Sequence, residues 1–250
     1  MYELAHERGI AVPPAWTEVW VNPDPKGATQ ATGRDGKGRP VQRRLASAVE
    51  KSAVEKFARL KAFAKVRPKI MSQVEKDFSV SGAAQVLYLI NLTGFRVGGE
   101  ADTKAEVQAY GATTLTSDHV QIEGDMLRFS FIGKEGVKQE HEVKDAKLAK
   151  VLEGKTGKLF DTNARRVLAY VKKYGGPKFK TKDFRTAVAT EEALKTLKGP
   201  PPVAPPKDEK EKAKKVLEVA KVVARKLGNK PQEARDSYID PGVFAHAWGG

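Results

Sequence analysis

The sequence predicts an α+β protein. A small β-rich N-terminal module, residues 1–45, precedes a mostly helical domain, residues 46–250, that carries one three-stranded sheet. Three observations lead there. Apolar and polar residues alternate over 16–22, and turn-forming stretches separate that run from two more short strand-like runs, 29–32 and 40–44. From Leu45 the apolar period becomes helical. Between Thr113 and Val143 the pattern returns to strands joined by glycine turns.

Local chemistry justifies each element in order. Residues 22–27 combine Asn, Pro, Asp and Gly and read as a turn. Trp16 and Trp20 fall on one face of the first strand and belong to the module's core. Val49, Phe57, Leu60, Phe63 and Ala64 share one helical stripe. Arg67-Pro68 is expected to break that helix, with a second helix running to about Phe78. Residues 83–92 are apolar nearly all round, as a central buried helix is. A helix is expected after Gly99, to about Ala109. The sheet takes 113–115, 119–123 and 126–143, the last folded back on itself. Gly124-Asp125 makes one turn and Gly133-Lys-Glu-Gly136 the other. Helices return at 145–152, 162–173 and 181–197. The proline-rich run 199–207 reads as an extended linker. Asp208 caps a long helix, with Glu211 three residues on. Its stripe is Ala213, Val216, Leu217, Ala220, Val223, Ala224 and Leu227, and Gly228 stops it. Pro231 starts a short helix that carries Tyr238.

A chain of 250 residues, 40% of them hydrophobic, has enough apolar material for a real core. The net charge of +14 favours a polyanionic partner. There is no cysteine, so disulfides and thiolate metal sites are excluded. His6, His119, His141 and His246 are scattered without metal-ligand spacing. No apolar run reaches the roughly 18 residues of a membrane span. The opening residues lack the apolar core of a signal peptide. The expected setting is a reducing, cytosolic compartment, with no membrane partner, no metal and no cofactor.

Four groups suit attack on a phosphodiester, and they stand in a fixed order: Arg96, Lys134, Arg185 and Tyr238. A phenol of pKa ~10 becomes a competent oxygen nucleophile beside cations. Attack on phosphorus adds negative charge to the non-bridging oxygens. Arginine forks can bind those oxygens and stay charged at any working pH. Arg96 sits beside Gly98-Gly99, where backbone can approach a ligand closely. Arg185 follows Phe184 near the start of a helix, a place that favours phosphate. Lys134 lies at a turn tip and suits a general acid. A leaving alkoxide, whose conjugate acid has a pKa near water's ~15.7, needs a proton. Asn229, just past a helix end, offers a neutral donor whose role can only be electrostatic. Arg34, Lys37, Arg39, Arg43 and Arg44 cluster in the glycine-rich N-terminal segment and suit DNA phosphates. Lys210, Lys212, Lys214 and Lys215 alternate with acids and read as a solvated helix face.

These residues together resemble type IB DNA topoisomerases of the bacterial and poxvirus kind. The resemblance runs from about Val12 to Pro241. It rests on residues 14–20, on 30–39, on Arg96-Val-Gly-Gly99, on 110–119, on 131–136, on Lys182-Asp-Phe-Arg-Thr186, and on 227–231 with 237–239. It implies a tyrosine recombinase/topoisomerase IB-like fold and a catalytic role for the larger domain. Tyr238 would form a transient DNA-(3′-phosphotyrosyl) link, with Arg96, Arg185 and Asn229 stabilising the transition state and Lys134 protonating the 5′-oxygen. Lys182 would add a phosphate contact. Supercoils would relax without ATP or metal. The protein would act as a monomer clamping duplex DNA, on the nucleoid of a bacterial cytoplasm or, for a virus, in the virion or host cytoplasm. Poxvirus members carry His where this chain has Asn229, which places it nearer the bacterial pattern.

Two other readings remain open at this point. A tyrosine recombinase or integrase shares the same catalytic logic, but generally carries His where this chain has Lys182. A non-catalytic basic DNA-binding protein would explain the charge alone.

Overall fold

The structure is a computed structural model that describes residues 2–36, 38–101, 103 and 108–249. Its elements form two compact units, Met1–Arg59 and Leu60–Gly250. The change of sequence character comes earlier, at residue 45, and the division falls inside a helix. The architecture is α+β, with helices around two separate three-stranded antiparallel sheets.

In the first unit, helix α1 (Tyr2–Glu7) precedes strands β1 (Thr17–Val21), β2 (Thr29–Arg34) and β3 (Pro40–Arg44), ordered β1-β2-β3. The short α1 was not expected from the sequence. Ala5 on α1 packs with Val21 and Ala31 in a small core flanked by Ile10, Val12 and Val19. Trp16 and Trp20 do not share a face. Trp16 is buried, whereas Trp20 is 44% exposed. A register shift lies between Thr17 and Trp20, and Glu18 within it has φ 51°. That bulge rotates the strand and turns Trp20 outward.

Helix α2 (Ala46–Asp77) runs without a break through Pro68. Proline deletes only one backbone donor, and Pro68 itself is exposed. Within the second unit, Leu60, Phe63, Ile70 and Val74 of α2 are all buried, so tertiary packing holds the helix on both sides of the proline. Phe63 meets Phe179 and Phe184 at centroid distances of 5.5 and 4.8 Å. Of the expected stripe only Leu60 and Phe63 are buried; Val49 and Ala64 are exposed.

Helix α3 (Gly82–Thr93) is the buried centre of this unit. Ser81 caps it, its side chain accepting from the Ala84 amide, and Gly94 ends it in the left-handed conformation. The helix expected after Gly99 falls largely outside the described residues. Strands β4 (Val120–Glu123), β5 (Met126–Ile132) and β6 (Lys138–Lys144) form the second sheet in that order. Leu127, Phe129 and Phe131 alternate inward. Residues 113–115 are not a strand. The Thr113 amide donates to the Val97 carbonyl at 2.8 Å, and that of Thr114 to Gly111 at 2.8 Å. Their partner is thus the irregular segment after α3 and a local turn, rather than a sheet edge.

Helices α4 (Ala146–Leu152), α5 (Ala164–Gly175) and α6 (Thr181–Lys198) follow as expected. The proline-rich connection after α6 has no regular structure but is pinned. The Val203 amide donates to Leu197, and the Val203 carbonyl accepts from the Trp248 indole. Helix α7 (Glu209–Leu227) is capped by Asp208, which accepts from the Glu211 amide. The Glu211 carboxylate in turn accepts from the amide of Lys207, one residue before the cap. The buried stripe of α7 is Val219, Ala220, Val223, Ala224 and Leu227, while Leu217 is exposed. Helix α8 (Pro231–Ser237) ends at Tyr238, and an unexpected helix α9 (Gly242–Trp248) follows. Tyr238, Ile239, Val243 and Phe244 join residues of α6 and α7 in one core.

Phe63→Ala should lower the stability of the second unit by about 3–5 kcal/mol, because an aromatic ring packed on two others is removed from a fully buried site. Val80→Ala, at a position 85% exposed, should change it by less than about 0.5 kcal/mol. Urea unfolding followed by fluorescence of the full chain checks both.

Candidate active site

The segment 94–99 carries Arg96 and is fixed by its backbone. The Arg96 carbonyl accepts from Ala112 at 2.9 Å. Gly98 has φ +79°, and a Cβ built there would lie 2.9 Å from the Gly111 backbone. A side chain at position 98 would therefore be strained and crowded at once.

Arg96 reaches the end of α8. Its Nη1 donates to the Tyr238 hydroxyl at 3.0 Å, and its Nη2 to Glu233 at 2.5 Å. The Arg96 guanidinium is held above its ordinary range. Burial works against its charge, but Tyr238 and the hydrogen-bonded Glu233 outweigh it. Tyr238 is only 2% exposed. The Thr190 hydroxyl, on α6, donates to the Tyr238 carbonyl at 3.3 Å and accepts from the Asp240 amide at 3.2 Å.

Arg185 lies in the second turn of α6 and is buried. Its guanidinium spans two helix ends, donating to the Gly94 carbonyl and, at 3.0 Å, to that of Leu227. Its Cζ lies 4.8 Å from the Tyr238 ring centre; the corresponding distances are 5.3 Å for Lys182 Nζ and 5.8 Å for Arg96 Cζ. Burial pushes the Arg185 pKa down to about 10. Tyr238 and Glu233 oppose that shift, and Arg96 adds to it. The first turn of α6 is closed by Asp183, which accepts from the Lys180 amide.

Lys134 is exposed in the turn between β5 and β6. A cavity of about 330 Å³ brings it together with Arg96, Gly98, Lys182, Arg185 and Tyr238. Four of the five expected catalytic side chains thus line one cavity. Asn229 does not line it. It lies two residues past α7, and neither its amide nitrogen nor its amide oxygen has a partner within the protein. Gly228 has φ +59°, and a Cβ there would displace the end of the Gln139 side chain, whose Oε1 lies 1.6 Å away. The Gly228 carbonyl accepts from Gln139 at 2.7 Å. Sequence reasoning missed Glu233, Thr190 and Gln139. Only Glu233 left a signal there, and a weak one: it is one of two acids, with Asp236, between Asn229 and the tyrosine.

A family model for the catalytic core of eukaryotic DNA topoisomerase I matches residues 45–238, and one for the N-terminal domain of bacterial DNA topoisomerase IB matches residues 3–35. The chain belongs to the type IB DNA topoisomerase family. It is therefore an isomerase that acts on DNA, and neither the recombinase nor the non-catalytic reading is needed. The DNA topoisomerase 1B of Acanthamoeba polyphaga mimivirus is 28% identical over 254 aligned positions, which cover 92% of this chain and 75% of that protein. The crystal structure of the XerH site-specific recombinase bound to its difH substrate aligns with a TM-score of 0.38 and 14% identity. That alignment covers 78% of this chain and 52% of the recombinase. No helix among the described residues is long and apolar enough to cross a membrane.

The topoisomerase's N-terminal arginines are exposed, and each has a partner within its own unit. Arg34 binds Glu18, Arg39 binds Asp35, Arg43 donates to the Ala11 carbonyl and Arg44 to Ser52. Lys37 lies outside the described residues.

Beside the site, burial lowers the His141 pKa from 6.5 to about 4, with Lys226 and Arg185 adding to the shift. Its ring packs on Phe95 at 4.7 Å. The folded protein keeps this imidazole neutral, while the unfolded chain takes up a proton below about pH 6.5. The stability it contributes is complete above that pH and is lost as pH falls toward about 4. Urea unfolding at about pH 7 and about pH 5 should show a clear loss for the wild-type protein and a smaller one for His141→Gln.

Proposed function

We propose that the protein relaxes supercoiled duplex DNA by reversible transesterification through Tyr238. The observation that carries this reading is the contact of Arg96 with the Tyr238 hydroxyl in a cavity shared with Arg185, Lys182 and Lys134. The phenol oxygen attacks the phosphorus of one strand and loses its proton to solvent. A bond forms from Tyr238 to the 3′-phosphate, and the bond from phosphorus to the 5′-oxygen breaks. Lys134 gives that oxygen a proton, and the free end swivels before the reverse step reseals the strand. One phosphoester replaces another at each step, so ATP has no role. Arg96 and Arg185 neutralise the charge that develops on the non-bridging oxygens, in the place a metal ion would otherwise occupy. Asn229 lies outside that cavity with a buried amide that has no internal partner, and on this reading it turns to donate to the same phosphate when DNA binds.

Arg34, Lys37, Arg39, Arg43 and Arg44 of the N-terminal unit hold flanking phosphates, as does Lys182, and the two units together clamp the duplex. These internal contacts of the arginines are at the exposed surface and are readily exchanged for phosphate. The enzyme works as a monomer, in the compartment that holds its DNA.

Supercoiled plasmid incubated with EDTA and without ATP should be relaxed by the wild-type protein. Tyr238→Phe should neither relax it nor form a protein–DNA adduct, while binding duplex nearly as tightly as wild type. A Phe variant that still becomes linked to DNA would remove Tyr238 from this role.

Lys134→Ala should slow cleavage on an ordinary duplex by about 10²–10⁴-fold, the usual range for loss of a general acid. A 5′-bridging phosphorothiolate should restore much of that rate, because a thiolate leaves without a proton. Equal rescue of Arg96→Ala by the same sulfur substitution would show that Lys134 is not the acid.

A further inference from the structure

Arg96 is shared between two partners on one short helical segment. Nη1 holds the Tyr238 hydroxyl and Nη2 holds Glu233, at 3.0 and 2.5 Å. Both sides of the ion pair are partly open to solvent, 29% for Arg96 and 34% for Glu233. The edge of a guanidinium suits a carboxylate and a phosphate equally well, and both anions claim the same N–H groups. Glu233 also acts on Arg185, opposing the effect of burial there. A scissile phosphate reaching Tyr238 would meet this carboxylate before Arg96 was fully available to it.

Resting on the roles given above to Arg96 and Tyr238, we propose that Glu233 is a competing anion that holds Arg96 while no phosphate is present and yields it to the scissile phosphate. It is a tuning residue and touches no reacting atom. Its carboxylate occupies one edge of the Arg96 guanidinium in the free enzyme. Its charge weakens ground-state binding of DNA, which favours release between rounds of relaxation. The cation cluster of Arg96, Arg185, Lys182 and Lys134 remains positive overall with Glu233 in place, so the acid moderates the site and does not close it.

The test compares Glu233→Gln and Glu233→Ala. Glutamine keeps an acceptor for Arg96 and removes the charge; alanine removes both. Equilibrium binding of a fluorescent mixed-sequence duplex is measured with each change placed in a Tyr238→Phe chain, so that no covalent product forms. Cleavage is measured with each change alone, on a nicked suicide duplex at sub-saturating enzyme. Both variants should bind about two- to fivefold more tightly at low salt, the size expected for a partly exposed ion pair, and should cleave correspondingly faster. The gain should shrink as salt rises. It should vanish in an Arg96→Ala background, because the competition acts through that guanidinium. A Glu233→Gln variant that binds no better than its parent overturns the proposal. So does a Glu233→Ala variant that cleaves more slowly, since Glu233 would then serve to position Arg96. If the wild-type protein forms no adduct with the suicide duplex, the transesterification reading fails, while the binding comparison still decides whether Glu233 competes for Arg96.

Discussion

The site depends on the burial of one cation. Arg185 is 3% exposed, and a charge so far from water is tolerated only with hydrogen-bonding partners. It finds them in the carbonyls of Gly94 and Leu227, at the ends of α3 and α7. Helix C-termini carry partial negative charge, so both ends suit a guanidinium electrostatically as well as geometrically. The consequence reaches beyond Arg185 itself. Gly94 begins the segment that carries Arg96, and Leu227 precedes Gly228 and Asn229. One buried fork therefore sets the places of three other groups.

Tyr238 is the second constraint. It is both a core residue and the proposed nucleophile. It packs with Ile239, Val243 and Phe244 against α6 and α7, and its backbone is tied to Thr190. Its hydroxyl nevertheless meets Arg96, and its ring lies over Arg185. A nucleophile set in the core loses little conformational freedom when substrate arrives, which is one source of preorganisation. Substituting residues that pack around it would disturb stability and chemistry together.

How much of this was legible in the sequence follows from the range of each interaction. The caps at Asp208 and Gly228, the buried run of α3 and the β5–β6 hairpin rest on neighbours a few residues apart, and they read correctly. Arg96, Lys134, Arg185 and Tyr238 were named through their order, and they line one cavity or meet within it. The failures involve long-range competition. Pro68 reads as a break because the sequence does not show that Leu60, Phe63, Ile70 and Val74 bury on both sides of it. Residues 113–115 read as a strand because β-branched Thr favours one, yet the Thr113 amide pairs with Val97. A bulge at Glu18, invisible to simple alternation, turned Trp20 out of the module's core. Glu233 was passed over because its partner lies 137 positions away.

The same fork explains why glycine stands at both helix ends. A left-handed residue closes α3 at Gly94 and α7 at Gly228, leaving carbonyls near each turn free to accept from outside the helix. A Cβ at Gly94 would come within 2.6 Å of Leu227, and one at Gly228 would overlap Gln139. The two helix ends are thus pressed together as well as bridged by Arg185. Gln139 extends the arrangement to the sheet, since β6 holds the Gly228 carbonyl while neighbouring His141 stays neutral against Phe95. Sheet and helix ends therefore form one support. Replacing either glycine would strain a left-handed turn beside one of the carbonyls that hold Arg185 and would displace the Leu227 or Gln139 side chain packed on it.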